Sequence, residues 1–585
     1  MAELFRFSPR PNRAGEVQWR DWGAAAFDEA AHTDRPVFLN LTAVWCEWCH
    51  RMDETAFSDP DSIALLNREV LPIRVDADRY PHVQERYIAG GWPTNAFLTP
   101  TGEVLWAGTY VPAEEFRAVL HGVLAAWRDR RAELRIEIER RRKALEAARG
   151  RHRAVGLVRR GAADTVLLSI QQGFDAVNGG FGGAPKFPQP EAVEFLFARG
   201  FAPGGAEARA MAGHTLDGML AGELRDEVEG GFFRYAMAAD WTSPRHEKLL
   251  EVNAGLLRVY ALGAQVSGRA DWRAVAEGTV DWVEGVLRLP DGLWGASQAA
   301  EAEYYALDVD GRRGRPRPFV DPVLYTAPVA VWIRALAEAG GRLGRRDWIE
   351  RAAGAMDALL SVMAGPEGML YHYRVPGESP DLATLLVDTL EAARACVSLS
   401  QATGRAGDLA KACELAEALE AALWAEDGGF FDHVSGPGDV GAVRYRDRPF
   451  DRNAAAARLF LDLAAATGER SYRAVAERIL ALLSPVAGRY GVAAAEFALA
   501  VDEFFEPPPS IFVVGATEAA APLRHAALAF PDARRRVWSL ERGGRIGGFD
   551  LAAAATPVAY ICGARACSAP IDDPARLARA ARAAR

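Results

Sequence analysis

Apolar and polar positions follow two different rhythms along this chain, and the change of rhythm divides it. Near the N-terminus the apolar residues come in short runs: PVFLNLTAVW from Pro36, LPIRVD from Leu71, NAFLTP from Asn95 and EVLWAGTYV from Glu103. Short apolar runs bounded by turn residues read as strands. The first run stops at Cys46, and a helical pattern follows. Residues 113–160 are helical and densely charged. From about Ala163 the spacing changes to i, i+3, i+4, i+7, as in LLEVNAGLLRVYALGAQV, PVAVWIRALAEAGGRL and AAAARLFLDLAAATG. These read as amphipathic helices.

Short Gly-aromatic turns punctuate the helices: Gly179-Gly180-Phe181, Gly230-Gly231-Phe232-Phe233, Asp291-Gly292-Leu293-Trp294, Glu367-Gly368-Met369-Leu370, Asp427-Gly428-Gly429-Phe430-Phe431 and, more weakly, Gly488-Arg489-Tyr490. Such recurrence marks a repeat architecture. About six helix pairs with a turn of this kind point to a closed (α/α)6 toroid. An open solenoid of stacked pairs is the alternative, and it needs no such turns. After the helices, PPPSIFVVGA and ARRRVWSL read as strands of a small appendage. The expected fold class is multidomain: an α/β domain at 1–125, a charged helical connector at 126–162, an all-α toroid at 163–500 and a C-terminal α/β appendage at 501–585.

Composition narrows the function. A net charge of −10 argues against a nucleic-acid footprint, and the basic runs of the connector alternate with acids. The N-terminal stretch MAELFRFSPRPNRAG has no apolar segment of the signal-peptide kind, and no run is long enough to span a membrane. Six cysteines in 585 residues are not a disulfide scaffold. The expectation is a cytoplasmic chain with no nucleic-acid or membrane partner, no metal and no cofactor.

Cys46-Glu47-Trp48-Cys49-His50 carries the sharpest chemistry. At a strand-to-helix junction the first thiol sits by unsatisfied helix N–H groups, which favour its thiolate. The second lies about one turn away and can close a disulfide. Cys46 is then the attacking thiol and Cys49 the resolving one. Inert buried thiols, a c-type haem attachment and a zinc half-site are the rival readings; the haem needs an exported chain and the zinc a second ligand pair. Pro93, in Gly91-Trp92-Pro93-Thr94 just before a strand, completes the candidate catalytic set.

With these motifs in hand, residues 15–125 resemble a thioredoxin domain, in particular that of the spermatogenesis-associated, DUF255-type family. That family's usual CHWCH is here Cys46-Glu47-Trp48-Cys49-His50; GGWP is intact at Gly90–Pro93, and its acidic motif survives as Asp76, Asp78 and Pro81. The resemblance implies a cis proline at Pro93. Glu47 stands where the family has histidine, and a carboxylate there disfavours the neighbouring thiolate. The helical part resembles the six-hairpin glycosidase-like and N-acylglucosamine 2-epimerase group. GGFGGAPKFPQP, PRHEKLLEVNAGLL and PVAYICGARACSAP extend the DUF255-type resemblance over nearly the whole chain, while a Trp-Asn-Gly landmark remains only as Arg452-Asn453-Ala454.

In the toroid, Asn253, Asp388 and Asn453 interrupt apolar helical runs, where a polar group needs a partner or a water-filled bore. Arg234, Tyr235, Trp241, His246, Glu247 and Asp321 lie in or beside the turns. The chain has only four lysines, and Lys186 and Lys248 both sit in turn loops. A lysine retained in so arginine-rich a chain suits a site for a compact ammonium. One expectation is that Lys186, Glu247 and Lys248 join Asn253 and Asp388 in a polar pocket, with Trp241 or Tyr235 as a stacking wall. The other is that the lysines bond carbonyls of their own loops. Cys562 and Cys567 read as two buried or free thiols rather than a second pair. Three functions compete: a thiol–disulfide oxidoreductase acting on a protein thiol or disulfide client; a carbohydrate-active or carbohydrate-binding toroid, epimerase- or glycosidase-like, with a small polar or saccharide ligand; and a non-catalytic scaffold.

Overall fold

Val37–Thr42 (β1) is buried on both faces, and its alternation builds the first unit. Val37, Leu39 and Leu41 enter one apolar cluster, and Phe38 enters the other. A strand with period-two side chains and cover on both sides reads as a continuous apolar run. In this computed structural model β1 lies parallel to Leu71–Asp76 (β2) and antiparallel to Thr94–Leu98 (β3), which pairs in turn with Val104–Gly108 (β4). The strand order is β2-β1-β3-β4. Ala24–Thr33 (α1) and Pro81–Tyr87 (α4) cover one face; Glu47–Glu54 (α2), Pro60–Glu69 (α3) and Ala113–Asp129 (α5) cover the other. Arg131–Arg151 (α6) follows.

The structure describes residues 6–151, 156–202, 204–540, 545–546, 549–550, 557–563 and 566–583. Residues 1–5 of the N-terminal stretch, 152–155 of the charged connector and 564–565 of the tail motif lie outside the described residues. Two compact units emerge: one of residues 1–153, 299–301 and 432–447, the other of the remainder. The first unit therefore differs from the 1–125 domain read from the sequence. It takes in α6, and it draws on a distant stretch whose Val443 is fully buried in its core. Tyr87 fastens that stretch: its hydroxyl accepts the Ala442 N–H at 2.7 Å and donates to the Gly102 carbonyl at 2.8 Å. Arg86 adds an ion pair to Asp432 at 2.6 Å.

In the second unit six outer helices alternate with six inner ones along the chain. The outer set is Gly161–Gly173 (α7), Ala206–Ala221 (α9), Ala270–Trp282 (α11), Arg346–Met363 (α15), Ala406–Leu423 (α17) and Arg470–Leu483 (α19). The inner set is Pro190–Arg199 (α8), Leu250–Ser267 (α10), Thr326–Leu343 (α14), Leu386–Thr403 (α16), Phe450–Thr467 (α18) and Ala495–Phe505 (α20). Short helices Ala302–Tyr305 (α12) and Val309–Arg313 (α13) intervene. Each inner helix packs on the next, and α20 packs back on α8, so the ring is closed. Four inner helices end in left-handed glycines, Gly268, Gly344, Gly404 and Gly468, with φ between 72° and 77°; a Cβ at such a cap is strained.

The appendage belongs to the second unit. Its strand Ser510–Val514 runs between parallel Arg536–Leu540 and antiparallel Val558–Cys562, backed by Ala521–Leu528 (α21) and Pro574–Ala583 (α22). Cys562 and Cys567 are bonded to each other, which corrects the expectation of two separate thiols. An isolated bridge between the two residues brings them together.

Candidate functional site

The end of β1 delivers Cys46 to the start of α2. Cys46 has extended backbone dihedrals and is the N-cap; its Sγ accepts the Cys49 N–H at 3.1 Å. Cys46 and Cys49 are bonded, with Cα atoms 5.3 Å apart. The Trp92–Pro93 peptide is cis. Trp92 lies edge-on to Trp45 at 5.5 Å between ring centroids, which places the cis peptide beside the residue that precedes Cys46. Trp45 also donates from Nε1 to Asp78 at 2.7 Å, and its carbonyl accepts the Ala300 N–H at 3.2 Å. Both cysteines are only 2% exposed, whereas Trp48 between them is 36% exposed and rests on Tyr110. Glu47 faces solvent, where water and salt weaken its influence on the thiols.

Along α2 lies a buried ion pair that the sequence reading did not single out. Arg74 is buried in β2 and forks onto Asp53 of α2 at 2.7 and 3.1 Å. Asp53 also accepts the Ser8 N–H at 3.0 Å. His50, next to Cys49, is pushed down to about 4 by burial and by the charges of Arg6, Arg74 and Arg10. Its imidazole is therefore neutral at pH 7. A signal was available: Arg74 interrupts an otherwise apolar strand, and a buried cation requires an acid.

In the ring, the candidate residues resolve into a repeated brace. Lys186 Nζ meets Asp175 at 2.6 Å and the Gly179 carbonyl at 2.9 Å. Lys248 Nζ meets Asp226 at 2.6 Å and the Gly230 carbonyl at 2.9 Å. Arg448 does the same with Asp427 and Gly428, both at 2.7 Å. The turn aspartates also accept backbone N–H groups, Val177 and Asn178 for Asp175 and Val228 for Asp226. Asn253 accepts the Phe232 N–H at 2.7 Å and donates to the Phe232 and Leu249 carbonyls; Asn453 repeats this with Phe430 and Pro449. The backbone requires glycine here: Gly231 has φ 71°, and a Cβ on it would lie 2.5 Å from Trp282.

The two lysines thus take the second of their expected roles. Each ammonium is committed to its own turn and lies over aromatic faces, Trp241 for Lys186 and Phe233, Trp282 and Tyr305 for Lys248. Asp388 is engaged elsewhere, with the Ala327 N–H at 3.1 Å and His372 Nδ1 at 2.9 Å. Trp241 is 0% exposed and donates to the Asn178 carbonyl at 3.0 Å, so its face is not open to a ligand. Tyr235 stacks on Phe187, and Arg234 lies over Tyr235. His246 stacks on Tyr305 and is lowered by burial; Glu247 is buried. Asp321 accepts from Val323 N–H and Tyr325 hydroxyl within its own loop.

The axis of the ring holds charges that the sequence reading did not single out. Glu194 of α8 pairs with Arg258 of α10 at 2.7 Å, and Arg258 with Glu338 of α14 at 2.8 Å. Arg334 links Glu338 to Glu391 of α16, and Arg394 links Glu391 to Glu496 of α20. Arg458 of α18 closes the circuit to Glu496, Glu503 and Glu194 at 3.0–3.1 Å. Every inner helix contributes. The visible signal was Arg334, Glu338 and Arg342, spaced by four residues within an apolar helix.

Residues 10–146 match the DUF255 family. Its model is described as "Protein of unknown function, DUF255". Spermatogenesis-associated protein 20 of Homo sapiens is 32% identical over 308 residues, covering 49% of this chain and 39% of that protein. The rat counterpart is 33% identical with the same coverage. The match thus spans well under half the length of these relatives, beyond the DUF255 segment itself. Among solved structures, cellobiose 2-epimerase from Bacillus thermoamylovorans aligns with 55% of this chain and 84% of its own, at TM-score 0.45 and 12% identity. A family 76 glycoside hydrolase (mannosidase) from Bacteroides thetaiotaomicron aligns with 59% and 98%, at TM-score 0.43 and 11% identity. No helix among the described residues is long and apolar enough to cross a membrane.

Proposed function

We propose that the DUF255 segment is a thiol–disulfide exchange centre acting on a protein or small-molecule thiol client. The observation that carries this is Cys46 at the α2 N-cap, its sulfur accepting the Cys49 N–H while bonded to Cys49. In the reduced state the Cys49 N–H and the N-terminus of α2 stabilise a Cys46 thiolate. The thiolate attacks a client disulfide and forms a mixed disulfide, expelling one client thiolate. Cys49 then attacks Cys46 Sγ, closes the pair and releases the second. Two electrons pass from the dithiol to the client, and an external dithiol returns them. This direction of exchange requires a reducing compartment, as the cytoplasmic reading of the sequence supposes.

Steady turnover of an insulin disulfide assay with dithiothreitol is the test. Wild type is expected to accelerate reduction, Cys46→Ser to abolish it, and Cys49→Ser to trap a mixed disulfide. Alkylation of the reduced chain is expected at Cys46 first; labelling of Cys49 with Cys46 protected reverses the roles. No exchange with either insulin or a small disulfide sinks the reading. Because both thiols are nearly enclosed, small disulfides are expected to react faster than folded protein clients. The ring receives no catalytic role in this proposal, since its most prominent candidates brace turns.

A further inference from the structure

The C-terminal ends of the inner helices face a cavity of about 100 Å³ beneath the appendage. Six arginines and four carboxylates line it, leaving two net positive charges. The carboxylates are already taken. Glu194 is held by Arg258 and Arg458, Glu338 by Arg258, and Asp462 and Glu503 by Arg536. Arg342 of α14 and Arg535, just before the Arg536–Leu540 strand, have weaker partners. Arg342 donates to the Gln265 side-chain oxygen at 2.7 Å and to the Ala533 carbonyl at 3.2 Å. Arg535 reaches the same Gln265 oxygen and the Asp532 carbonyl, each at 3.4 Å, and its buried Nε has no acceptor.

Two enclosed guanidiniums that share a neutral amide repel each other, and burial adds to the cost. Burial and Arg342 hold Arg535 well below the usual arginine range, and burial lowers Arg342 as well although Glu338 and Glu194 offset part of it. A doubly charged oxyanion would reverse this balance. Its oxygens match the guanidinium fork, and charge-assisted bonds of this kind are the strong ones. Size restricts the guest. A protein cavity of about 150 Å³ takes benzene, so about 100 Å³ restricts the guest to something smaller, the scale of one small tetrahedral ion.

We propose that this cavity is a phosphate site, binding a small tetrahedral oxyanion between Arg342 and Arg535. Occupancy ties the appendage strand to the ring, because one arginine comes from each. The site lies in the second unit and does not depend on the thiol chemistry proposed above. The free ion and the head of a phosphomonoester share this chemistry, and the cavity volume favours the free ion.

The full chain is titrated with inorganic phosphate and, separately, with glycerol 3-phosphate, each against sodium chloride at matched ionic strength. Melting temperature and 31P line width are the readouts. A saturable rise in melting temperature with broadening of the inorganic phosphate signal is expected, with displacement by sulfate. Arg535→Gln is expected to weaken binding at least tenfold, and Arg535→Lys to restore part of it. Equal binding of glycerol 3-phosphate supports the site and makes an ester its ligand. Phosphate acting no more than chloride overturns the proposal, as does unchanged affinity in Arg535→Gln. Should that variant not fold, absence of sulfate-reversible 31P broadening in wild type overturns it.

Discussion

The two ends of the helical ring treat their cations in opposite ways. Where the inner helices begin, Lys186, Lys248 and Arg448 each hold a carboxylate and a turn carbonyl. Where they end, Arg342 and Arg535 hold only carbonyls and a shared amide. The first end is saturated by the chain itself, so its charges hold turns in place. The second has charge left over, which makes it a place for a ligand. Between them runs the Arg–Glu circuit, in which each charge is answered by another helix. Burial is common to all three levels; what separates structure from candidate function is whether the protein supplies the counter-charge.

The contrast can be broken most forcefully at Arg458. Its removal leaves Glu194, Glu496 and Glu503 without a shared cation, and Arg458→Met is expected to cost about 3–5 kcal/mol in urea unfolding. A loss below about 1 kcal/mol would show that the circuit contributes little. Lys248→Met comes next, at about 3 kcal/mol and no more, because Arg312 still pairs with Asp226 at 2.7 Å. Lys186→Met is expected to cost less, because Asp175 is 16% exposed and Asp226 only 2%. A reversed order would break the link between burial and bracing.

Asn253→Ala and Asn453→Ala sharpen the repeat itself. Each leaves a turn N–H and carbonyl without their side-chain partner, for about 1–3 kcal/mol. Near-equal losses are expected from their matching partners, and a wide gap would show that the turns are not equivalent. A smaller effect is pH-dependent. Asp175 and Asp226 are both lowered despite burial, Asp175 by Lys186 and its turn N–H groups and Asp226 by Lys248 and Arg312. A depressed carboxyl stabilises the fold above its unfolded value, and this is lost as pH falls through the folded one. Acid unfolding below about pH 4 is therefore expected to be blunted in Asp175→Asn, already deprived of that contribution. Arg535→Gln in phosphate-free buffer is expected to change stability least, or to raise it slightly by removing a repulsion.

Much of this arrangement was legible before the fold. β1, the CxxC at its end, the Gly-aromatic turns and the count of helix pairs are local patterns, set by strand and helix periodicity and by the backbone freedom of glycine. Even the lysine braces are close in sequence: Asp175 and Gly179 lie within 11 residues of Lys186. The sequence offered both bracing and a pocket for these lysines; side-chain geometry chose bracing.

What the sequence alone determined is therefore the kind and order of elements: an α/β start, a reactive-looking CxxC, six helix pairs and a small appended sheet. Only the tertiary structure brought Arg86 to Asp432 across 346 residues, closed α20 on α8, and gave Arg334 and Arg458 their acids on neighbouring helices. The physical reason is that periodicity reports which side of an element turns inward, whereas a buried charge is satisfied by whichever distant group the packing places a few ångströms away.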